Sequence, residues 1–240
     1  MPLPRPQVFP TPKALAEALA DTITETLDAA RRERGAASLV LAGGSSFTAL
    51  YQRFETVAFD WTGIHLFFGD ERRVGPDSPD SNYRMAVQAW PSSLSNGAIM
   101  HRLQGELEDP KRALLAYMDE MANYAGVPNE CVFDVVLLGL GPDGHTASLF
   151  PASLATIERT GLALAVVPAG LPPLVERLTL TPLTLNRSRA MYVVATGDGK
   201  QEIVGKVLAD TANEYPVSHI APAYGPLSFY VDQAAFQNVK

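Results

Sequence analysis

Apolar residues recur at helical and strand spacing along most of this chain of 240 residues. After Thr11 and Pro12, which suit the start of a helix, apolar residues repeat every three or four positions until Gly35. A short apolar run at 38–42 then ends in a glycine turn, after which a second helical pattern begins. The same order of strand, loop and helix returns at 64–90. The pattern therefore predicts strands that alternate with helices.

The second half of the chain continues this alternation. Its most apolar run, FDVVLLGLG from Phe133 to Gly141, is typical of a central parallel strand that is covered on both faces. A glycine-rich polar loop follows this strand. The other predicted elements are helices at 110–124 and 198–210 and strands at 162–167, 177–181, 191–196 and 229–231.

Strands that alternate with helices predict an α/β fold with an open, mostly parallel, Rossmann-like sheet flanked by helices. No repeat, low-complexity stretch or linker divides the chain, so residues 1–240 are expected to form a single domain. In such sheets ligands bind beyond the carboxyl ends of the strands. The loops that follow Ala42, Phe68, Leu140 and Thr196 are therefore where functional residues are expected.

Composition narrows the cellular setting and the class of ligand. No apolar window is long enough to span a bilayer and the proline-rich start does not suit a signal peptide, so we expect a cytoplasmic protein. The single cysteine, Cys131, has no partner for an intramolecular disulfide and is expected to be buried and inert. A formal net charge of −7 argues against nucleic acid or a membrane surface as the partner. An anionic ligand would need a local basic pocket.

The first loop, GGSSFTAL, has features of a phosphate cradle. Gly44 and Ser45 offer unblocked backbone N–H groups beside a helix N-terminus, whose dipole favours negative charge. A glycine pair after a strand is as often a plain tight turn, and the spacing matches no established nucleotide motif. From this loop alone, both interpretations stay open.

The second loop places two acids and two bases at the end of a strand, in the order Asp70, Glu71, Arg72 and Arg73. Charges of both signs at this point predict an ordered ion-pair network around an anion. The alternative is a solvated charged turn. The irregular, proline-containing stretch at 69–81 favours a functional loop, since such loops often carry binding residues.

The third loop, GLGPDGHTASLFP, presents Asp143 and His145 on a glycine-rich turn. An imidazole suits proton transfer near neutral pH, so His145 is the candidate general base. Asp143 either fixes the tautomer of that imidazole or serves only as a turn residue in Pro-Asp-Gly. The remaining histidines, which we interpret as packing or surface residues, are His65, His101 and His219.

The fourth loop, ATGDGKQE, puts Lys200 in the first turn of a helix. A lysine there reaches a phosphate as a point charge, although many such lysines are merely solvated. Arg177, at the start of RLTLT, is a candidate second cation. Its alternative role is that of a surface arginine at a strand edge.

Together these motifs resemble the 6-phosphogluconolactonase family. The matching segments follow the family's order: GGSS, GDERRV with DSPDSNYR, GLGPDGHTASLFP, RLTLTPLTLNRS and TGDGK. The resemblance implies hydrolysis of 6-phospho-D-glucono-1,5-lactone to 6-phospho-D-gluconate in the oxidative branch of the pentose phosphate pathway. It also implies that no metal or organic cofactor is required. A phosphorylated sugar lactone is therefore the expected partner, and a monomer the expected form.

The resemblance also assigns roles to individual residues. The candidate catalytic residues are His145, Arg72, Asp70 and Asp143, and the candidate phosphate-binding residues are Gly44, Ser45, Lys200 and Arg177. In this scheme Asp70 holds either Arg72 or His145 in place. The chain departs from the family at the first turn, where the family commonly has Gly-Gly-Ser-Thr-Pro and this chain has Ser46 and Phe47. Loss of that proline removes a fixed φ at the helix start.

Two other functions compete with this interpretation. Glucosamine-6-phosphate deaminase shares the Gly-x-Gly-x-Asp-Gly-His core but typically continues Ile-Ala-Phe-Asn-Glu-Pro. This chain continues from Thr146 to Pro151 as the lactonases do. A non-catalytic sugar-phosphate sensor on the same fold would keep the basic pocket without turnover. A dinucleotide enzyme is disfavoured because no GxGxxG with a downstream ribose-binding acid is present.

Overall fold

A computed structural model describes residues 3–126, 131–153, 164–168, 170–210 and 213–237. Its strands are β1 (Gln7–Phe9), β2 (Ala37–Leu41), β3 (Ile64–Phe68), β4 (Asp70–Arg72), β5 (Ile99–Met100), β6 (Phe133–Gly139), β7 (Leu164–Val167), β8 (Arg177–Leu180), β9 (Ser188–Ala195) and β10 (Leu227–Asp232). Its α-helices include α1 (Pro12–Arg34), α2 (Thr48–Thr56), α3 (Asn82–Ala89), α4 (Pro110–Ala125), α5 (Pro182–Leu185), α6 (Gln201–Leu208) and α7 (Gln233–Phe236).

Seven strands form one parallel sheet in the order β1-β10-β9-β6-β2-β3-β5. The central strand is β6, whose first six residues are all buried. A parallel sheet keeps both faces covered, which explains why β6 is apolar throughout. The predicted α/β architecture is therefore confirmed.

Helix α1 shows how local chemistry sets the element boundaries. Thr11 Oγ1 accepts the Ala14 N–H at 3.1 Å, and Pro12 occupies the first helical position. At the other end, Gly35 has φ of 82°, a left-handed conformation that suits glycine and stops the helix. Both boundaries agree with the sequence prediction. None of the helices within the described residues is both long enough and apolar enough to cross a bilayer.

Two predicted strands do not belong to the main sheet. β7 and β8 join β4 in a separate antiparallel sheet with the order β4-β8-β7. Positions 162 and 163 of the predicted strand at 162–167 lie outside the described residues. β4 lies within the stretch 69–81, which the sequence predicts to be a loop, and its three residues are all charged. This small antiparallel sheet is where the structure departs from parallel pairing, within the mostly parallel arrangement that the sequence predicts.

Cys131 lies just before β6 and is buried, with a free thiol, as predicted. Burial, reinforced by the negative charge of Asp134, raises the pKa of the Cys131 thiol to about 12. A thiol with so high a pKa carries little thiolate at neutral pH. The expectation that this cysteine is inert is therefore supported.

Candidate active site

The loops after β2, β3, β6 and β9 meet at the carboxyl edge of the main sheet, around a cavity of about 420 Å³. Seven of the eight candidate residues line this cavity: Gly44, Ser45, Asp70, Arg72, His145, Arg177 and Lys200. The eighth, Asp143, stands behind His145 and contacts its ring. The structure therefore brings together residues that are up to 156 positions apart in the chain, from Gly44 to Lys200.

The glycine turn after β2 is anchored at Ala42, the residue directly before it. Tyr51 Oη accepts the Ala42 N–H at 3.0 Å and donates to the Ala42 oxygen at 2.7 Å. Gly43 must be a glycine, because a Cβ there would lie 2.0 Å from Oδ1 of Asn82. Gly44 has φ of 99°, a conformation that suits glycine, and Gly44 and Ser45 both line the cavity. This geometry suits an anion at the start of α2.

His145 is fixed by Asp143 through two hydrogen bonds. Its backbone N–H donates to Asp143 Oδ1 at 3.1 Å, and its Nδ1 lies 2.5 Å from the same oxygen. Burial alone would raise the pKa of Asp143, but the hydrogen bonds and charge of His145 outweigh burial and lower it. An ionised carboxylate only accepts hydrogen bonds, so Nδ1 carries the proton and Nε2 is the basic nitrogen.

Small residues let the loop that carries His145 fold around the imidazole. Gly144 has φ of 79°, and a Cβ there would lie 2.4 Å from the Tyr215 ring. Ala147 also adopts a positive φ, 47°, which is uncommon for a residue with a side chain. The Phe150 ring packs 4.8 Å from the imidazole centroid. Strained backbone of this kind concentrates at functional sites.

Asp70 is buried at the cavity wall and bonds to two residues that the sequence analysis did not single out. Ser148 Oγ donates to Asp70 Oδ2 at 2.6 Å, and Asn82 Nδ2 donates to Asp70 Oδ1 at 3.1 Å. Among the hydrogen bonds and ion pairs of the described residues, none joins Asp70 to Arg72 or His145. Asp70 therefore makes no direct bond to either residue, and the positioning role expected for it stays a prediction. Instead, Asp70 links β4 to α3 and to the loop that carries His145.

Asn82 and Ser148 lie inside the two most distinctive motifs, DSPDSNYR and GPDGHTASLFP. Ser148 is polar between Ala147 and Leu149, and this contrast was an available signal, whereas Asn82 stands among polar and charged residues and offered none. Both are buried, at 1% relative exposure, and both line the cavity. A buried polar side chain needs a partner, and the partner of both is Asp70.

Glu71 does not pair with its arginine neighbours. It is buried, and its carboxylate accepts the N–H groups of Arg72 and Asn82 at 2.7 Å and that of Tyr83 at 2.9 Å. Burial raises the pKa of Glu71, although these hydrogen bonds oppose the rise. The predicted ion-pair network within the DERR segment is therefore absent from the described contacts. Glu71 instead fixes the start of α3.

Arg72 and Arg177 face each other across β4 and β8, in direct register. Arg72 Nη1 donates to the Asp80 oxygen at 2.5 Å, and Arg177 Nη2 donates to the Pro173 oxygen at 2.8 Å. The Nε of each arginine is buried without a hydrogen bond. Burial, and then the charge of Arg72, lower the pKa of Arg177. Two adjacent cations with unused donors favour an anionic ligand.

Lys200 lies on the other side of the cavity, after β9. Its Nζ donates to the Leu140 oxygen at 2.7 Å. Burial lowers the pKa of Lys200, and the negative charge of Asp143 opposes this effect. The turn before Lys200 is fixed by buried Asp232, whose Oδ1 accepts the Gly197 N–H at 3.0 Å. Lysine carries three donors, so two remain for a ligand.

Comparisons with known proteins identify the family of the chain. The sequence model of the family described as glucosamine-6-phosphate isomerases/6-phosphogluconolactonase matches residues 10–229. The chain is 35% identical over 242 residues to 6-phosphogluconolactonase of Synechocystis sp., covering 99% of both chains. It is 34% identical to the Mycobacterium tuberculosis 6-phosphogluconolactonase, with 84% of this chain and 85% of the relative covered.

Solved structures give the same result. The 6-phosphogluconolactonase of Trypanosoma brucei has a TM-score of 0.82 and 32% identity, and the match covers all of both chains. A monomeric glucosamine-6-phosphate deaminase matches with a TM-score of 0.75 at 19% identity, which shows a shared fold alone. The chain therefore belongs to the glucosamine-6-phosphate isomerase/6-phosphogluconolactonase family.

Proposed function

We propose that this chain hydrolyses 6-phospho-D-glucono-1,5-lactone to 6-phospho-D-gluconate, with His145 as the general base. One observation carries the proposal: the Asp143–His145 pair shares a cavity with three cationic side chains, Arg72, Arg177 and Lys200. An imidazole with a defined basic nitrogen suits proton transfer, and the cations suit a phosphorylated substrate. The relatives' names supply the lactone as the substrate.

The chemistry requires one base that acts twice. His145 Nε2 takes a proton from water as the water oxygen attacks C1, and the carbonyl oxygen becomes an oxyanion. When this tetrahedral intermediate collapses, the bond between C1 and the ring oxygen breaks. The imidazolium returns the proton to that oxygen, which becomes a hydroxyl group. Asp143 keeps Nδ1 protonated throughout and stabilises the imidazolium.

The substrate presents two negative charges to the cavity, the oxyanion that develops at C1 and the phosphate, and separate donors bind each of them. Arg72 is the residue we assign to the oxyanion, since preorganised positive charge stabilises charge that develops in the transition state. Arg177, Lys200 and the N–H groups of Gly44 and Ser45 bind the phosphate. Binding energy from the phosphate then orients C1 against His145. Asp70 contributes by holding β4 and the 145–151 loop together through Ser148.

The experiment is a spectrophotometric lactonase assay on freshly generated lactone, corrected for spontaneous hydrolysis, with wild type and His145→Asn side by side. We expect the variant to lose roughly 10²- to 10⁴-fold in kcat while its affinity for 6-phosphogluconate stays nearly unchanged. A near-wild-type kcat would reject the base assignment. Ammonia release from glucosamine 6-phosphate would favour a deaminase, and tight product binding without turnover would favour a sensor.

The proposal also covers the location, oligomeric form, domain organisation and cofactor requirement of the protein. We propose a cytoplasmic monomer that folds as one domain and needs no cofactor. One continuous hydrophobic core that extends from Leu3 to Ala235 supports the single domain. Size-exclusion chromatography with light scattering tests the monomer, and assay in the presence of a chelator tests the requirement for metal.

A further inference from the structure

The turns after β2 and β9 have the same backbone geometry. Gly44 has φ of 99° and ψ of 157°, and Gly197 has φ of 90° and ψ of 156°. Three residues later, Phe47 has φ of −98° and ψ of −11°, and Lys200 has φ of −101° and ψ of −7°. In each turn the N–H of that third residue donates to the glycine oxygen at 3.1 Å. Phe47 and Lys200 therefore occupy equivalent positions.

The two turns lie on opposite sides of β6, because β9 and β2 are its neighbours in the sheet. Lys200 Nζ reaches the backbone just after β6 and donates to the Leu140 oxygen at 2.7 Å. Phe47 reaches the end of β6 from the other side, where its Cε2 lies 3.5 Å from the Cβ position that Gly139 lacks. The end of β6 is thus contacted from both sides.

We propose that Phe47 and Lys200 form a clamp on the backbone of Gly139 and Leu140, and that Phe47 is a positioning residue for His145. The loop that carries His145 begins at Leu140. The position of the strand end therefore sets where the imidazole lies in the cavity. Phe47 does not touch the reacting atoms in this proposal; it acts through the backbone of β6.

The surroundings of Phe47 make it a rigid half of the clamp. Its ring is buried, at 1% relative exposure, and stacks on Tyr51 with ring centroids 6.1 Å apart. Tyr51 in turn holds both backbone groups of Ala42, directly before the glycine turn. A hydrogen bond from Thr196 Oγ1 to Ser46 Oγ, 3.0 Å long, joins the two turns.

The clamp also gives a reason for the missing proline at the first turn. A proline at position 47 would fix φ, but it could not donate an N–H group to the Gly44 oxygen, and its ring is too short to reach Gly139. Phe47 makes both contacts, the first through its N–H group and the second through its buried ring. The turn therefore keeps its geometry through packing against β6.

The test compares Phe47→Leu with Phe54→Leu. Phe54 is a matched control because it is equally buried and stacks on Tyr51 at 6.2 Å. It lies in α2, the helix that begins directly after Phe47, and is not among the residues that line the cavity. The kinetic readout rests on the proposed lactonase function. We expect Phe47→Leu to lower kcat by roughly 10- to 100-fold, since small misplacements of catalytic groups have effects of this size. Phe54→Leu should stay near wild type at a similar loss of Tm.

A second readout does not depend on activity. The chain has four histidines, so ¹⁵N-labelled imidazole spectra are simple, and His145→Asn identifies the His145 signals. The clamp predicts that these signals shift in Phe47→Leu and stay in place in Phe54→Leu. If the wild-type protein has no lactonase activity, the proposed function is rejected. A shift of the His145 signals in Phe47→Leu alone would still support the clamp. In an active protein, equal behaviour of both variants, or a fall in kcat without the shift, would overturn the clamp and leave the function standing.

Discussion

A Cβ atom on Gly141 would lie 2.0 Å from Nδ1 of His145. The imidazole thus occupies the space that any other residue at 141 would fill. The Gly141 N–H also donates to the His145 oxygen at 2.8 Å, so the glycine fixes the backbone of the histidine as well. Gly141 is therefore required for a close approach between two parts of one loop.

Gly141→Ala should displace the imidazole and lower kcat by roughly 10²-fold, because general base catalysis depends on geometry at this scale. Steady-state kinetics on the lactone measures the effect. Gly199→Ala is the matched control, since Gly199 lies beside Lys200 with open space at its Cβ position and should stay close to wild type. Wild-type kcat in Gly141→Ala would contradict the placement of His145 as the base.

Asp143→Asn separates the two roles left open for this residue. Asparagine suits a turn as well as aspartate does, so the loop should keep its shape. It removes the negative charge that fixes the Nδ1–H tautomer and stabilises the imidazolium, and we expect kcat to fall by about 10- to 1,000-fold. If Asp143 serves only the turn, the variant will keep the wild-type kcat and a similar thermal midpoint.

Lys200→Met keeps the apolar stem of the side chain but removes its charge. Hydrogen bonds to charged groups are strong, so we expect the affinity for 6-phosphogluconate to fall roughly 10- to 100-fold, with a smaller loss for unphosphorylated gluconate. Calorimetric titration of both ligands measures the difference. Lys206→Met is the control, because Lys206 is exposed on α6, the helix that begins directly after Lys200, and pairs with Glu202. Equal losses for both ligands would remove Lys200 from the phosphate site.

The elements that local sequence could predict are those with local causes. The cap at Thr11 and the left-handed Gly35 define α1, and the apolar run at 133–139 defines β6. Once the strands were taken as parallel, their carboxyl ends had to share an edge. The meeting of His145 with Lys200 follows from this rule without any knowledge of side-chain contacts.

The contacts that could not be predicted depend on register between distant segments. Arg72 faces Arg177 because β4 pairs with β8 in an antiparallel sheet, and nothing in three charged residues indicates that pairing. Likewise, the bond from Ser148 to Asp70 joins residues 78 positions apart. Burial also separates similar residues: Glu71 is a buried acceptor for the start of α3, whereas the sequence shows it only as one of four adjacent charges.

His65 and His101 form a second titratable group outside the cavity-lining residues. His65 Nδ1 lies 2.9 Å from His101 Nε2, and His101 Nδ1 lies 2.7 Å from Glu120 Oε2. The ring of Tyr124 packs 4.7 Å from that of His65. Burial, and then the charge of His101, lower the pKa of His65. The sequence interpretation of both residues as packing histidines agrees with these contacts.

A lowered pKa at His65 makes the stability of the protein depend on pH. The unfolded chain binds a proton at His65 more readily than the folded protein does, so protonation favours unfolding. The contribution of neutral His65 to the stability of the folded protein is therefore fully present above the ordinary imidazole pKa of 6.5. It is lost as pH falls through the lowered pKa of the folded protein. We expect the free energy of unfolding, measured by urea denaturation, to fall as pH drops below about 6.5. His65→Gln can still bond to His101 but does not titrate, so its stability should fall less over the same range. If wild type and variant lose stability equally, His65 is not the group responsible.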